Sequence, residues 1–302
     1  MKTKPVSAEA YDEKWLTAAW GEQSNDFFLK QEVLHPRPRV ARALELADIR
    51  RGMTVLDIAC GRGEIPVLAA QAGACAVGVD FSKASLAFAV RLREHSRESI
   101  STGTVEFIRA DACRLPFADS SFERITMLDI VEHLVPDQLE AMFREVHRLL
   151  KPGGFTVIHT LPNRWVYDVT FPLLHRFSKK FPHDPRGPID REIHVNEQDL
   201  PTLHGMLSRC GLSHRLWLEQ QMPAQARWNQ FNDRYGDNRD RVYPTLVGPV
   251  GKVLEWLSMT PLKLLLANDI YGVAWKHERP VEMKLPLGII ERLAMLLPER
   301  CE

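Results

Sequence analysis

Several signals that would settle the class of a chain at once are missing here. The 39 Lys and Arg balance the 39 Asp and Glu, so the formal net charge is zero. No global pull toward nucleic acid or anionic lipid is expected from that balance. The five cysteines, Cys60, Cys75, Cys113, Cys210 and Cys301, are odd in number, scattered and without a CxxC pair. That argues for reduced thiols in a cytoplasmic protein and against a zinc site. No apolar h-region follows Met1-Lys2-Thr3-Lys4-Pro5, so no signal peptide is expected. No apolar run reaches the ~18 residues of a membrane span, and no internal repeat is present. What is there is 302 residues, 45% of them hydrophobic, ample for a core in one large domain or a domain with additions.

The chain is organised around Val55-Leu56-Asp57-Ile58-Ala59-Cys60-Gly61-Arg62-Gly63-Glu64. An apolar run ending in an acid reads as a buried parallel strand. Gly61 and Gly63 permit a tight turn and a close backbone approach to a ligand. A helix follows from about Glu64, with Pro66 in its first turn, where a missing N–H costs nothing. Strand, glycine turn and helix N-terminus together make a nucleotide-type cradle. The dinucleotide fingerprint G-x-G-x-x-G fails, because Pro66 holds the third glycine's place. A sulfonium cofactor with a free amino group and no pyrophosphate suits Asp57 and the short turn better. A βα turn without a ligand is the plain alternative.

At these residues the sequence resembles the class I S-adenosylmethionine (SAM) methyltransferases, whose first motif reads L-D-x-G-C-G-x-G. Ala59 stands where that family commonly has glycine. Leu115-Pro116-Phe117-Ala118-Asp119-Ser120-Ser121-Phe122-Glu123 is similar to the L-P-F-x-D-x-S-F-D signature of the ubiquinone-biosynthesis-like branch, with Glu123 replacing the final acid. The resemblance covers about residues 50–220. It implies an α/β fold with a doubly wound, seven-stranded, mostly parallel sheet, Rossmann-like, carrying helical cap insertions. It also implies SAM as cofactor, held by Asp57, Ala59, Cys60, Gly61, Gly63, Asp80, Phe81, Asp111, Ala112 and Leu128. In the family, an acid at the place of Asp111 receives the adenine amino group, and the next backbone N–H reaches a ring nitrogen.

Strands are expected at 74–80, 105–109, 124–128, 155–160, 214–219 and 269–275, the last antiparallel as the resemblance implies. Asp80 follows Gly63 by about 17 positions, close to the ~20 of an acid that grips ribose hydroxyls. Ser82 is left to cap the helix from Lys83. Asp137 and Glu140 predict a capping box, and Lys151-Pro152-Gly153-Gly154 the stop of that helix. A further helix is expected from Asn196 to Cys210. The predicted organisation is an N-terminal helical cap over 1–37, a core over 38–220, an insertion or lid over 221–268, and a last strand with a C-terminal helix over 269–302.

The turn after the fourth strand, Asp129-Ile130-Val131-Glu132-His133-Leu134, lies where ligands of open α/β sheets bind. His133, able to titrate near neutrality, is the candidate base for an acceptor that must lose a proton; packing or capping is its bland alternative. Asp129 is the second catalytic candidate. Asp129, Glu132 and His133 share one helical face by spacing, and His194 follows downstream. Enzymes that cap small RNAs at the 3′ ribose look similar here and hold magnesium, so a metal set is a minority alternative to a metal-free site. The expected activity is methyl transfer to a small-molecule or lipid-like acceptor at oxygen or an activated carbon. The apolar stretches at 245–268 and 285–297 could cover that acceptor, meet a membrane surface peripherally, or pack in the core. The mixed bases, acids and aromatics from Arg227 to Asp240 make nucleic acid the weaker reading. A catalytically silent SAM-binding or membrane-associated protein is the runner-up; a nicotinamide-dependent dehydrogenase already suffers from Pro66.

Overall fold

The computed structural model describes residues 4–12, 33, 35–179, 181–219, 253, 256–257, 259–277 and 288–299. A short 3₁₀ turn, Ala8–Tyr11, comes first, followed by α1 (Pro38–Ala47), β1 (Thr54–Ile58), α2 (Glu64–Gln71), β2 (Cys75–Asp80) and α3 (Lys83–Ser96). Next are β3 (Thr104–Arg109), β4 (Phe122–Leu128), a second 3₁₀ turn (Val131–His133), α4 (Pro136–Leu149) and β5 (Leu150–Thr160). A wide helical turn (Val166–Thr170) leads into α5 (Phe171–Phe177), α6 (Pro188–Ile193), α7 (Leu200–Arg209) and β6 (Ser213–Glu219). The described chain ends with α8 (Lys263–Leu266), β7 (Asp269–Trp275) and α9 (Ile289–Ala294).

The seven strands form one sheet in the order β3-β2-β1-β4-β5-β7-β6, with β7 antiparallel to both neighbours and the rest parallel. Val55, Leu56 and Ile58 of β1 are fully buried, as a strand covered on both faces requires. β1 pairs with β2 on one side and β4 on the other, so the connections turn in opposite directions there. A crevice opens at the carboxyl ends of strands at such a switch point.

β4 starts at Phe122, two residues earlier than expected, and three further boundaries differ from the sequence expectations. The helix expected to start with an Asp137–Glu140 box starts at Pro136, and Gln138 Oε1 accepts from the backbone N–H of Val135 at 3.4 Å. Pro136 presets the first helical φ, moving the start back. Its apolar face is as expected, with Leu139, Met142, Phe143, Val146 and Leu149 buried. Lys151–Gly154 already belong to β5: Leu150 pairs with Phe122, and a register shift follows before Arg124 meets Phe155. The two glycines therefore serve a bulge in the strand. α7 starts at Leu200, not Asn196, because Asp199 accepts from Thr202 N at 2.9 Å as its cap. The backbone before that cap is committed elsewhere: Asn196 N donates to Glu132 O and Gln198 O accepts from Arg164 N.

Ser82 does cap α3, accepting from Ser85 N at 3.1 Å. Cys60, Cys75, Cys113 and Cys210 are free thiols; Cys301 lies outside the described residues. So do Trp15, Trp20, Phe27 and Phe28 of the N-terminal segment and the stretch from Arg227 to Asp240. Among the described residues no helix is long and apolar enough to cross a membrane.

Candidate active site

The turn after β1 is built from residues in left-handed backbone: Ala59 at φ 57°, Gly61 at φ 53° and Gly63 at φ 84°. Ala59 adopts the conformation that glycine would adopt freely, at a cost of about 1–2 kcal/mol. Gly63 is fixed twice over, since a Cβ there would stand 2.6 Å from Phe107 Cζ and 2.9 Å from Ala89 Cβ. Gly61 N donates to Asp80 Oδ2 at 2.9 Å, while Ser82 N donates to Asp80 Oδ1 at 2.8 Å. The tips of β1 and β2 are thereby locked together. Asp57 is buried and accepts from Thr126 Oγ1 at 2.6 Å. Burial pushes its carboxyl up to about 8, and the nearby Glu64 and Asp80 add to the rise. Burial raises the Asp80 carboxyl as well, against the pull of its backbone donors. Under the turn, Glu64 Oε1 takes Arg37 Nη2 at 2.8 Å and Arg62 Nη2 at 2.7 Å. After β3, Asp111 Oδ1 accepts from Cys113 N at 2.9 Å.

β4 ends in Leu128, and Asp129 again adopts a left-handed φ of 56°. Its Oδ2 faces Arg39 Nε at 3.0 Å and its Oδ1 meets His159 Nδ1 at 2.6 Å. Burial would raise this carboxyl, but Arg39 and His159 outweigh it and hold it well below the carboxylate range. Burial alone would lower His159; Asp129 and Asp269 carry it up to about 9 instead.

In the turn that follows, Glu132 is 1% exposed. Its Oε2 accepts from Thr160 Oγ1 at 2.6 Å, and its backbone O accepts from Val195 N and Asn196 N at 2.9 and 3.0 Å. Burial, with Asp129 adding, pushes its carboxyl up to about 7. His133 Nδ1 is hydrogen-bonded to Tyr11 Oη at 2.8 Å, and its ring stands edge-on to His194 with centroids 5.0 Å apart. Burial, reinforced by His194, takes His133 down to about 3, so its ring is neutral at physiological pH.

These pieces enclose a cavity of about 540 Å³ at the carboxyl ends of the strands. Of the residues expected to form the site, Asp57, Ala59, Cys60, Gly61, Asp80, Phe81, Asp111, Ala112, Leu128, Asp129 and His133 line it. Gly63 shapes the turn from behind. Its roof is partly N-terminal: Val6, Ala8 and Tyr11 line the cavity, and the Tyr11 carbonyl accepts from Ser82 Oγ at 2.8 Å. Leu161, Tyr167, Ile193 and His194 close the end beside Glu132 and His133. Of the four residues named for a cation, Glu132, His133 and His194 bring ligand atoms within 4.8 Å of one another. Asp129 faces Arg39 and His159 instead. Sequence reasoning missed Arg37, Arg39, Glu64, His159 and Tyr167. Arg37 and Arg39 flank Pro38 at the start of an amphipathic helix, which gave no sign that they turn toward the sheet.

Residues 55–154 match the family described as a methyltransferase domain. An uncharacterised methyltransferase of Synechocystis is 32% identical over 126 residues, 41% of this chain and 55% of that protein. A demethylmenaquinone methyltransferase of Bacillus licheniformis is 36% identical over 119 residues, 38% of this chain and 48% of its own. The chain thus spans about half the length of the curated relatives it matches. A phosphoethanolamine N-methyltransferase of Haemonchus contortus, solved with S-adenosylmethionine, superposes with a TM-score of 0.55 at 17% identity, covering 92% of this chain and 62% of that one. At that identity the likeness concerns the fold. Residues 55–154 thus match a methyltransferase domain and build the centre of the seven-stranded sheet.

Proposed function

We propose that the protein is a SAM-dependent methyltransferase whose acceptor is a small, lipid-like molecule methylated at an oxygen or an activated carbon. One observation carries the reading. Asp57, Asp80 and Asp111 stand at the carboxyl ends of three neighbouring strands, β1, β2 and β3, and line one cavity with the Gly61 turn. A cofactor laid across them offers its ammonium to Asp57, its ribose hydroxyls to Asp80 and its adenine amino group to Asp111. Its sulfonium then points toward the β4 turn, where Leu128, Ile130, Leu134, Leu161, Tyr167 and Ile193 give the cavity an apolar wall. Such a wall suits an aromatic or lipid-like acceptor, in keeping with relatives named for demethylmenaquinone.

Methyl transfer from a sulfonium is an in-line displacement on an activated carbon. The protein's task is to hold acceptor and methyl about 3 Å apart and aligned, where effective-molarity gains arise. The sulfonium charge disappears in the step, so an apolar wall opposes nothing. Arg39 and His159 hold Asp129 ionised at the end of β4, beside that wall.

The test is calorimetry with S-adenosylhomocysteine, followed by transfer of labelled methyl from SAM to polar and lipid metabolite fractions. Binding in the micromolar range and label in the lipid fraction are expected. Asp80→Asn removes charged acceptance at the ribose and should weaken binding about 10- to 100-fold, the worth of a hydrogen bond to a charged group. Binding without transfer to any fraction would leave a silent SAM-binding protein; no binding at all would overturn the reading.

A further inference from the structure

We propose that Arg186 is a positioning residue for the acceptor, acting through the ring of Tyr167; the acceptor role rests on the methyl-transfer reading. Its guanidinium ties together stretches that lie apart along the chain. Nε donates to both carboxylate oxygens of Glu197 at 2.9 Å, and Nη2 donates to Glu197 Oε2 at 2.6 Å. Nη2 also reaches Asp168 Oδ1 at 2.7 Å, and Nη1 reaches Asp184 Oδ1 at 3.1 Å. Cζ stands over the Tyr167 ring, 5.1 Å from its centroid, within the range of a cation–π contact. A planar fork that grips a carboxylate and also covers an aromatic ring is an arginine property that lysine does not share.

Tyr167 is 5% exposed and lines the cavity. Along its own helical stretch it meets Phe171 edge-on at 5.7 Å, a contact that would move with it. Arg186 joins it to a part of the fold that would not. Glu197, the main holder of the guanidinium, is pinned on both sides by backbone bonds. Val195 N and Asn196 N donate to Glu132 O, and Gln198 O accepts from Arg164 N. The Glu197 and Arg186 side chains are 9% and 18% exposed, so the pair is largely withdrawn from water, and removing one partner strands the other charge. Position is thus handed from the Val131–His133 turn to residues 195–198, through the Glu197–Arg186 fork, and on to the Tyr167 ring.

Pro185 and Asp190, from the stretch that Arg186 carries, line the cavity too. A wall of this kind touches an acceptor in the ground state and the transition state alike. Loosening it therefore weakens acceptor binding more than it slows the chemical step. The cofactor side takes no part in the fork, because Asp57, Asp80 and Asp111 stand at the ends of β1, β2 and β3.

The experiment compares the full chain with Arg186→Gln, Arg186→Lys and Arg191→Gln, each checked by circular dichroism. Arg191 lies in the same stretch, pairs with Asp184 at 3.3 Å with its side chain 58% exposed, and does not line the cavity. Label transfer from SAM is followed against rising amounts of the lipid metabolite fraction. Arg186→Gln should raise the half-saturating amount about tenfold or more, the worth of a lost charge-assisted hydrogen bond, with maximal label within about threefold of the parent. Arg186→Lys should fall between the two, and it carries the comparison if the Gln variant does not fold. Arg191→Gln should match the parent. In a Tyr167→Leu background, Arg186→Gln should add less than about threefold, since the ring through which it acts is gone. A second readout needs no acceptor. With the five tyrosines ring-labelled with carbon-13, the Tyr167 resonance, assigned by Tyr167→Phe, should shift in Arg186→Gln or Arg186→Lys. A Tyr167 resonance that stays in place, a saturation curve like the parent's, or an undiminished effect in the Tyr167→Leu background overturns the proposal. Calorimetry with S-adenosylhomocysteine on the same samples keeps the two ideas apart. Cofactor affinity should stay within about twofold of the parent in every Arg186 variant. A parent that binds no cofactor, or binds it and labels nothing, overturns the methyl-transfer reading and the acceptor role with it.

Discussion

Asp57 is 4% exposed beneath the glycine turn, with Thr126 Oγ1 as donor to its carboxyl, and burial pushes that carboxyl up to about 8. A folded value above the unfolded one, about 3.9, means that the folded chain favours the protonated form. This group's contribution to stability is therefore complete below about pH 4 and is lost as pH rises through about 8. A bound ammonium reverses the preference, because a nearby cation favours the carboxylate. Uptake of S-adenosylhomocysteine at pH 7 should release close to one proton, and its affinity should climb toward pH 8 by up to about tenfold per unit. Calorimetry at pH 7 in phosphate and in Tris, whose ionisation heats differ, measures that proton directly. A binding heat that does not depend on the buffer would refute the linkage, and Asp57→Asn should abolish it. Asp57 and Asp80 were legible in the sequence because each closes an apolar strand, a local pattern. Arg39 and His159 were not, since what marks them is a carboxylate 90 and 30 positions away along the chain, in Asp129.

At the level of elements, the sheet could be read almost strand by strand, because buried parallel strands declare themselves as short apolar runs between turn signals. Helix starts were less legible: Pro136 and Asp199 set them by backbone geometry and capping that compete with nearby polar residues offering the same signals. The Ala8–Tyr11 turn was recognisable only as an aromatic among others, because its partners Ser82 and His133 come from β2 and β4 connections. The βα turn after β1 invites a quantitative check. Gly63 combines φ 84° with a Cβ position 2.6 Å from Phe107 and 2.9 Å from Ala89. Gly63→Ala must therefore take up left-handed backbone strain and overpack the α2–α3–β3 junction. The two together should destabilise the fold by about 2–4 kcal/mol. Gly61→Ala shares the positive φ but meets no atom within 4 Å, so it should cost only about 1–2 kcal/mol. Urea unfolding of both variants measures the difference; equal losses would mean that the Phe107 contact is not what constrains the turn.

For the molecule as a whole, the wall that closes the cavity beside Glu132 and His133 has two sides. Inward, the Val166–Thr170 turn gives Tyr167 to the cavity. Outward, the same turn and α5 present Val169, Leu173 and Phe177, which are 44%, 51% and 80% exposed. α8 packs against that turn, and Trp256, Met259 and Leu262 near it are exposed as well. Exposed Arg176 and Lys179 punctuate the α5 surface. The chain carries no net charge, so any attraction to a lipid surface would come from this local patch rather than from the molecule's overall field. A lipid-like acceptor held in a bilayer would then enter beside α5 and reach Tyr167 without crossing water. Burying the Phe177 ring in the interfacial layer is worth about 1.5–3 kcal/mol, so placing an acid there should lower vesicle affinity at least tenfold. Phe177→Asp is expected to lose co-sedimentation with phosphatidylglycerol-containing vesicles while binding S-adenosylhomocysteine like the parent, because Phe177 does not line the cavity. If the parent chain fails to sediment with such vesicles, or the variant sediments equally well, the acceptor reaches the cavity from solution and the apolar face of α5 needs a different occupant.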